Sequence, residues 1–337
     1  MRGIYITEPR NVTVKELDEP NYKACHAIIE VKSVGICGSD VSTFAGTNQN
    51  ANYPMVMGHE IAGIVLEVDK NDSGIQNGDR VALEPYFYCG ICYPCGLGNY
   101  NNCENMNVLG VRMDGGMCER ISHPTSYLHK IPEDLSWENA AMIEPLSIAM
   151  HALNRTNVLP AEHVLILGAG PIGILCALAC KAIGAVPILT DIVQERLERA
   201  QLAGIKNVIN TSMDDASEII SGLTQGRMAN VAIDCSGSES AINMSFELVA
   251  NSGRIGLVGW AKGMIQMNQP RILRKELTVL GMRNSKNAFP KCIEMLKSGD
   301  VDMSSIISVR NSFEDLILGF QDLLDNPDKY IKILGVF

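Results

Sequence analysis

A glycine-rich segment, GAGPIG at residues 168–173, constrains the fold more than any other feature of the sequence. The five residues before it, HVLIL, are typical of a buried strand, and the residues after it, ILCALACKAIGA, are typical of a helix. Asp191 ends the next apolar run, VPILTD. A G-x-G-x-x-G pattern between a strand and a helix, with an acidic residue about 20 positions later, indicates a βαβ unit that binds a dinucleotide.

Each part of this unit has a physical role. The glycines allow a tight turn and close approach of the backbone, and the helix N-terminus offers unpaired N–H groups to a pyrophosphate. The Asp191 carboxylate would accept hydrogen bonds from ribose hydroxyls and repel a 2′-phosphate, which favours NAD over NADP. Arg196 would stack on the adenine or pair with Asp191, or it is a solvated residue of its helix. The predicted cofactor-binding residues are Gly168, Gly170, Pro171, Ile172, Gly173, Asp191, Arg196 and Val258.

The chain changes character along its length. Its first third has short β-rich runs separated by Gly, Pro and Asn, which suggests an all-β barrel or sandwich. From about Glu162, apolar strands alternate with helical segments, as in a parallel sheet covered by helices on both faces. The ending, YIKILGVF, is strand-like, and we expect it to return to the first domain. We therefore predict an α/β protein of two domains, one discontinuous.

Composition excludes several classes of function. Hydrophobic residues make up 46% of the 337 residues and charged residues 20%, near the globular average. The net charge of -10 disfavours binding to nucleic acid or to an anionic membrane surface. No apolar run reaches the roughly 18 residues of a membrane span, and the first residues, MRGIYITEPRNVTV, contain no apolar core of a signal peptide. We expect a cytoplasmic enzyme whose partner is a small molecule.

Four cysteines lie within the stretch YCGICYPCGLGNYNNC, residues 88–103. Disulfides are disfavoured in a reducing cytosol. An iron–sulfur site with this start would place its fourth cysteine about four positions on, and thioredoxin-like chemistry needs C-x-x-C at a helix start. Four thiolates without an open position describe a closed structural zinc site, so we predict a structural zinc lobe over residues 86–105. Its ligands are Cys89, Cys92, Cys95 and Cys103. The other cysteines, apart from Cys37, are expected mostly to pack in the core.

A second group of metal ligands is spread over the motifs GICGSD, GHE and MIEP, which contain Cys37, His59, Glu60 and Glu144. Each residue alone has an ordinary structural explanation. Together, a thiolate, an imidazole and a carboxylate with an open position make a catalytic zinc site. Two neighbours would assist: Asp40 could fix the tautomer of the histidine, and Ser39 could take the proton of a bound alcohol.

The motifs GICGSD, GHE, the four-cysteine lobe, IEP and GAGPIG occur in an order that resembles the zinc-containing medium-chain alcohol and polyol dehydrogenases over essentially the whole chain. The resemblance implies a GroES-like β-barrel catalytic domain at residues 1–146 and 285–337, and a Rossmann NAD-binding domain at 147–284. It places the active site in the cleft between them. It also implies two Zn²⁺ ions per chain and NAD⁺, with hydride transfer from a zinc-bound alkoxide.

In this family, the catalytic zinc would be held by Cys37, His59 and Glu144, with Glu60 exchanging with Glu144 or with water. Glu144 stands where many alcohol dehydrogenases have a second cysteine. Polyol, threonine and sugar-acid members of the family likewise have a glutamate at this position. Ser42 stands where many relatives have a histidine that ends a proton relay, so the end of the relay is left open.

The segments VLGVRMDGG and GMRNS resemble bacterial hexonate 5-dehydrogenases. The resemblance suggests that Arg112, Arg283 and Asn284 contact the substrate, since arginine binds a carboxylate bidentately; the alternative is that the arginines form structural ion pairs. We predict an L-gulonate or L-galactonate 5-dehydrogenase. The alternatives are an L-threonine 3-dehydrogenase, a sorbitol or polyol (phosphate) dehydrogenase, or an inactive family member that only binds. The strand ELTVLGM could pair across a two-fold axis to give a homodimer or homotetramer.

Overall fold

The structure is a computed structural model that describes residues 1–49, 51–261 and 263–337. The chain divides into two compact units. The first consists of Met1–Glu144, Phe289–Lys297 and Ile307–Phe337, and the second of Pro145–Ala288 and Ser298–Ile306. Within the described ranges, every helix is too short or too polar to cross a membrane.

The elements are numbered in chain order. The strands are β1 (Arg2–Glu8), β2 (Asn11–Glu16), β3 (His26–Ile36), β4 (Met55–Val56), β5 (Glu60–Val68), β6 (Arg80–Leu83), β7 (Tyr86–Phe87), β8 (Asn107–Val108), β9 (Arg120–Pro124), β10 (Leu128–Lys130), β11 (His163–Leu167), β12 (Val186–Asp191), β13 (Asn207–Asn210), β14 (Ala229–Asp234), β15 (Val249–Leu257), β16 (Thr278–Gly281), β17 (Ile307–Arg310) and β18 (Lys332–Val336). The helices are α1 (Gly38–Phe44), α2 (Tyr93–Gly96), α3 (Trp137–Ala141), α4 (Ile143–Arg155), α5 (Pro171–Ala182), α6 (Gln194–Leu202), α7 (Ala216–Leu223), α8 (Glu239–Leu248), α9 (Gln269–Lys275), α10 (Phe289–Ser298) and α11 (Phe313–Asp325).

The first unit is built on β3, whose sequence HAIIEVKSVGI is rich in β-branched residues and mostly buried. The main sheet has the order β10-β6-β5-β3-β18-β17, with β9 also paired to β3, and a second sheet has the order β2-β1-β4. Apolar side chains from both sheets share one core, which includes Ile4, Ile29, Leu83 and Phe320. The pairing of β3 with β18 brings the end of the chain beside the start of the segment that contains Cys37.

The second unit contains a six-stranded sheet in which every pairing is parallel, in the order β13-β12-β11-β14-β15-β16. Counted from β11, this is the strand order 3-2-1-4-5-6 of a doubly wound dinucleotide-binding fold. The central strand β11 is buried along Val164–Leu167, as expected when helices cover both faces of a parallel sheet. The predicted α/β fold is confirmed, and the order reverses next to β11, where such folds bind their ligands.

Candidate active site

The turn that leads into α1 positions Cys37. Cys37 is the N-cap residue of the helix, and its backbone N–H donates to Oδ2 of Asp40 at 2.9 Å. The other Asp40 oxygen, Oδ1, lies 3.8 Å from Nδ1 of His59. One carboxylate therefore fixes the turn that carries the cysteine and also faces the histidine, at a distance longer than a hydrogen bond.

His59 and Glu60 follow one another at the start of β5 and are 5% and 1% exposed. One donor atom from each, together with the sulfur of Cys37, forms a group whose members all lie within 4.8 Å of one another. Tetrahedral zinc with Zn–S and Zn–N distances of about 2.3 and 2.0 Å places its ligands roughly 3.3 to 3.8 Å apart. The group is therefore compact enough to hold one ion.

Glu144 lies in the first turn of α4 and is 2% exposed. One of its oxygens, Oε1, accepts a hydrogen bond from the hydroxyl of Tyr86, which is itself buried. Burial raises the pKa of the Glu144 carboxyl group to about 7. The carboxyl group is not part of the compact group of three, so among the four predicted ligands the structure brings Cys37, His59 and Glu60 closest together.

The charge around these donors fits a cation. Three carboxyl groups, those of Asp40, Glu60 and Glu144, are each at most 2% exposed. Burial alone would lower the pKa of His59, but the Asp40 carboxylate and the Cys37 sulfur raise it well above its usual range. This raised pKa reflects a negative environment, which a divalent ion would neutralise. Sulfur, imidazole and carboxylate donors suit zinc, so the residues present fit the predicted metal.

The residues of the proposed proton relay lie on α1. Ser39 is half-buried, and its carbonyl accepts a hydrogen bond from the hydroxyl of Ser42 at 2.8 Å. The Ser42 hydroxyl is therefore bonded to the backbone of its own helix. This contact gives no support to Ser42 as a substitute for the histidine found at this position in many relatives.

The four-cysteine lobe forms a second compact group, in which the sulfur atoms all lie within 4.8 Å of one another. The sulfur of Cys103 is 3.5 Å from that of Cys89 and 3.8 Å from that of Cys92. Tetrahedral zinc–thiolate coordination requires spacings of about 3.8 Å, whereas a disulfide requires about 2 Å. All eleven cysteines in the described part of the chain are free thiols. The lobe therefore has the geometry of a closed zinc site.

The glycine-rich loop of the second unit has the steric properties that a dinucleotide needs. Gly168 has φ +101°, which favours glycine. A Cβ at Gly173 would lie 1.8 Å from the carbonyl oxygen of Gly168, so the loop and α5 can pack only if this residue is glycine. A Cβ at Gly170 would meet no described atom within 4 Å, which leaves room beside the N-terminus of α5 for a phosphate group.

Asp191 ends β12 and is held by the backbone around it. Its oxygens accept hydrogen bonds from the N–H groups of Ala169, Ile192 and Val193 at 2.6, 2.8 and 3.0 Å. The guanidinium group of Arg196 lies 3.9 Å from Oδ2, so the structure places Arg196 as an ion-pair partner of Asp191. The carboxylate is thus fixed at the edge of the glycine loop, where an adenosine ribose would lie.

The remaining predicted residues occupy different places. Arg112 is exposed, and its guanidinium group donates to the carbonyl of Met106 at 3.3 Å. Arg283 is exposed and Asn284, with φ +50°, is half-buried; both follow β16 in the second unit. Val258 follows β15, and its N–H donates to the carbonyl of Asp234 at 2.9 Å.

Comparison with known proteins identifies the family. Residues 23–133 match the alcohol dehydrogenase GroES-like domain, and residues 171–298 match the zinc-binding dehydrogenase domain. An uncharacterised zinc-type alcohol dehydrogenase-like protein of Haemophilus influenzae is 41% identical over 100% of this chain and 99% of its own length. The chain belongs to the zinc-binding alcohol dehydrogenase family.

Other members of the family are also similar over nearly their whole length. The L-galactonate-5-dehydrogenase of Escherichia coli is 32% identical, covering 97% of each chain, and the sorbitol dehydrogenase of Bacillus subtilis is 33% identical, covering 99% of this chain and 96% of its own. A crystal structure of an Escherichia coli alcohol dehydrogenase complexed with NADH superposes with a TM-score of 0.91 at 32% identity, covering 100% and 99% of the two chains. The predictions of a GroES-like and a Rossmann domain, and of a zinc- and nicotinamide-dependent alcohol or polyol dehydrogenase, are confirmed.

Two residues of this dehydrogenase's site did not emerge from the sequence. One is Tyr86, the donor to Glu144. The other is Lys332, which is 2% exposed and contacts both carboxylate oxygens of Glu60 at 2.6 and 2.8 Å. Burial lowers the pKa of Lys332, but the Glu60 carboxylate raises it above its ordinary value, so the ammonium stays charged. A signal existed for Lys332, the one charged residue of the apolar segment YIKILGVF.

Proposed function

We propose that this zinc-dependent polyol or sugar-acid dehydrogenase uses NAD⁺ to oxidise a secondary alcohol of a sugar acid, with L-gulonate or L-galactonate as the substrate. The observation that carries the proposal is the convergence of the donors of Cys37, His59 and Glu60 in a buried, negatively charged site. The similarity to an L-galactonate-5-dehydrogenase supports the sugar-acid substrate. The similarity to a sorbitol dehydrogenase makes sorbitol the second candidate.

The protein's residues divide the chemistry among them. Cys37 and His59, with Glu144 or Glu60, would hold the metal, and Asp40 would orient the imidazole. Zinc, when bound, supplies a Lewis acid that makes an alcohol more acidic. Ser39 would accept the alcohol proton and pass it to solvent. NAD⁺, when bound, supplies the hydride acceptor.

The preference for NAD⁺ over NADP⁺ rests on Asp191. Its carboxylate is oriented by three backbone N–H groups and lies beside the glycine loop. A carboxylate has about four acceptor sites, and the three N–H groups leave one of them, on Oδ2, for a ribose hydroxyl. A 2′-phosphate would instead place negative charge next to it.

We further propose that Arg283 binds the substrate carboxylate and that Asn284 binds a hydroxyl group. Arg283 is exposed and lies just beyond β16. Arg112 is a second candidate; it is exposed, and its guanidinium group donates to the Met106 carbonyl at 3.3 Å. A charge-assisted hydrogen bond contributes about 1.5–3 kcal/mol, or roughly 10- to 100-fold in binding.

The test is a substrate panel with zinc-loaded protein and either NAD⁺ or NADP⁺. The panel contains L-gulonate, L-galactonate, L-idonate, D-sorbitol, L-threonine and a simple secondary alcohol, and NADH formation is the readout. The expected result is preference for one hexonate with NAD⁺, and a KM about 10- to 100-fold higher in Arg283→Ala. Arg274→Ala, at an exposed arginine of α9, is the control and should not change KM. Preference for sorbitol or threonine would contradict the sugar-acid proposal.

We also propose that the protein forms a homodimer through the edge of the second unit's sheet. Strand β16 ends that sheet, and its central residues Val279 and Leu280 are only half-buried. Leu273 and Trp260 are 68% and 87% exposed in the same unit. Pairing of two β16 strands would satisfy the free edge and cover apolar surface. Sedimentation equilibrium should give a dimer for the wild type and a monomer for Leu280→Lys; a monomeric wild type would contradict the proposal.

A further inference from the structure

Two thiols face each other beside the glycine-rich loop of the second unit. The thiol of Cys235 donates to the sulfur of Cys176, and the two sulfur atoms are 3.9 Å apart. Cys176 lies in α5, three residues after Gly173, and is 0% exposed. Cys235 is the first residue after β14 and is half-buried. Both are free thiols, and neither has a part in the metal or hydride chemistry.

Cys235 lies at the place where this fold binds its dinucleotide. Strand β14 pairs with β11 at the point where the strand order reverses, and the ligand of such a sheet binds in the crevice at the carboxyl ends of these strands. A Cβ at Gly173 would lie 3.6 Å from the Cβ of Cys235. The next residue, Ser236, is exposed, and a Cβ at Gly168 would lie 3.1 Å from its Cβ. The half-buried thiol is therefore in direct contact with the loop that receives the pyrophosphate.

Hydrogen bonds hold the turn after β14 in place. The backbone N–H of Cys235 donates to the carbonyl of Leu167, the last residue of β11, at 2.9 Å. The Asp234 carboxylate accepts from the N–H groups of Ser236 and Gly237, both at 3.1 Å. Because the S–S distance of a disulfide is about 2.0 Å, the two sulfur atoms would have to approach by about 2 Å to form one. Such a movement draws Cys235 toward α5 and disturbs the turn that packs against the glycine loop.

We propose that Cys176 and Cys235 are a modification site: hydrogen peroxide that enters the crevice in place of a dinucleotide converts the two thiols into a disulfide, which weakens dinucleotide binding. The peroxide transfers one oxygen atom to the Cys235 sulfur, and its other oxygen leaves as water. The Cys176 sulfur then attacks the sulfenic acid, and a second water leaves. In all, the two thiols lose two electrons and two protons, and one peroxide is reduced to two waters. This site goes beyond the proposed function and requires only that the crevice binds a dinucleotide.

The environment of the pair makes the reaction slow. The pKa of Cys235 is raised well above its usual value, because its thiol donates to the Cys176 sulfur and is removed from water. The thiolate is the form that reacts with an oxidant, so brief exposure to peroxide leaves the pair reduced and only sustained exposure oxidises it. A dinucleotide adds a second protection. At 100 times its Kd it leaves about 1% of the crevices open, which should slow the oxidation about 100-fold.

The test uses the zinc-loaded full chain, freed of nucleotide and incubated with hydrogen peroxide for increasing times. Remaining thiols are blocked by alkylation, peptide mass spectrometry identifies the disulfides, and NADH fluorescence gives the Kd. Cys176→Ala and Cys235→Ala each remove one partner. Cys180→Ala, at a second buried cysteine one turn further along α5, is the matched control. Because peroxide also attacks the thiolates of the four-cysteine lobe, zinc content is measured in every sample, and Cys176→Ala reports the effect of that damage alone.

The expected result is a disulfide between Cys176 and Cys235 in the wild type and in Cys180→Ala. Its formation should raise the Kd for NADH about 5- to 150-fold, the usual range of coupling between two sites, and dithiothreitol should restore the original value. NADH at 100 times its Kd during the treatment should slow the formation of the disulfide about 100-fold. Cys176→Ala should bind NADH as the wild type does and should keep its Kd in peroxide; Cys235→Ala gives the same test of the bond if Cys176→Ala does not fold.

Absence of the disulfide between Cys176 and Cys235 after sustained treatment would overturn the inference, as would a bond from Cys235 to Cys180 in its place. An unchanged Kd for NADH in the disulfide-bonded protein would also overturn it, because the bond would then leave the dinucleotide site intact. An equal rise of the Kd in peroxide-treated Cys176→Ala would overturn it as well, since the cause would lie in other thiols. A reduced wild type that does not bind NADH would refute the dinucleotide site itself, and this inference with it.

Discussion

The four-cysteine lobe and the Cys37–His59–Glu60 centre both gather metal donors, but they differ in how the chain supplies them. The lobe takes four identical donors from one stretch, residues 89–103, and exposes apolar side chains such as Ile91, which is 90% exposed. The other centre takes unlike donors from separate strands and turns and buries His59 and Glu60 almost completely. A local motif is enough for the first site, whereas the second depends on the folded sheet.

The difference extends to charge. Four thiolates fill a tetrahedral zinc shell and leave no open position, which suits a structural role. The second centre has more carboxyl groups than one ion needs, and one of them is neutralised by Lys332. We therefore expect the two sites to respond in opposite ways to the loss of one cysteine.

The largest effect is expected for Cys37→Ala. Loss of a catalytic metal removes several kcal/mol of transition-state stabilisation, and about 4 kcal/mol corresponds to roughly 10³-fold in rate. We expect kcat/KM to fall at least that far, the zinc content to fall from two ions to one, and the melting temperature to change little. Metal analysis and calorimetry on the same sample provide the check. Cys25→Ala, at an exposed cysteine, is the control, and full activity in Cys37→Ala would refute the assignment.

The opposite pattern is expected for Cys95→Ala in the lobe. Zinc there cross-links a loop of 15 residues between Cys89 and Cys103, and closing a loop of that length contributes about 3 kcal/mol in the chain-entropy model. We expect a loss of stability of this order in urea unfolding, with zinc retained at the Cys37 centre. Metal analysis would show which ion is lost. A variant with unchanged stability and strongly reduced turnover would mean that the two sites have been assigned the wrong way round.

Tyr86 connects the two regions, and Tyr86→Phe tests whether the connection matters. Tyr86 packs against Cys103 and Met106 at the base of the lobe, while its hydroxyl donates to Glu144. Removal of the hydroxyl leaves a buried carboxylate without that donor, so we expect kcat/KM to fall about 10- to 100-fold, as for other groups that orient metal ligands. Metal retention against a chelator gives a second readout.

The control for Tyr86→Phe is Tyr93→Phe, at a lobe tyrosine that is 76% exposed. It should match the wild type in both turnover and metal retention. Equal effects of the two variants would contradict a specific role of Tyr86, because they would show that the loss of any tyrosine hydroxyl group in the lobe lowers activity. No effect of Tyr86→Phe would show that Glu144 does not need this hydrogen bond to hold its position.

The four cysteines of the lobe and the nucleotide loop could be predicted from the sequence alone, because each is encoded within one short segment. The roles of Gly168 and Gly173 follow from short-range sterics, and the strand His163–Leu167 was predicted at the bounds observed. Lys332 and Tyr86 could not be assigned in the same way. The hydrogen bond from Lys332 to Ile36 joins residues 296 positions apart, and only the pairing of β18 with β3 creates it.

Local patterns also misled in one place. The cysteines outside the two metal groups are expected to pack in the core because most lie in apolar surroundings, and Cys25 is one of them. The structure exposes it at a turn with φ +63°, so that expectation was wrong. Cys25 lies just outside the sheet, because β3 begins one residue later, at His26. Being next to a buried strand in the sequence is therefore not enough to bury a residue.

The smallest predicted effect concerns the stability of the protein in acid, to which the zinc of the lobe and a buried histidine beside the lobe both contribute. His123 is 0% exposed and lies against Phe87, with the ring centroids 5.3 Å apart, close to the base of the lobe. Burial lowers the pKa of His123 to about 3, whereas an unfolded chain has a value of about 6.5. Below about pH 6.5, His123 is therefore protonated in the unfolded chain but stays neutral in the folded protein. The free energy of unfolding decreases as the pH falls from about 6.5 toward 3.

Between pH 7.5 and 5.5 this group alone should cost about 1 kcal/mol of unfolding free energy. Acid also protonates cysteine ligands and releases zinc, so the wild type loses stability for two reasons. The substitution His123→Phe keeps an aromatic ring in the core and removes the contribution of the histidine, leaving only that of zinc release. Urea unfolding at both pH values should therefore give a smaller loss in His123→Phe, by about 1 kcal/mol. Equal losses of unfolding free energy in the two proteins would contradict the prediction. They would mean that zinc release accounts for all of the acid sensitivity, and that His123 becomes protonated in the folded protein through local opening.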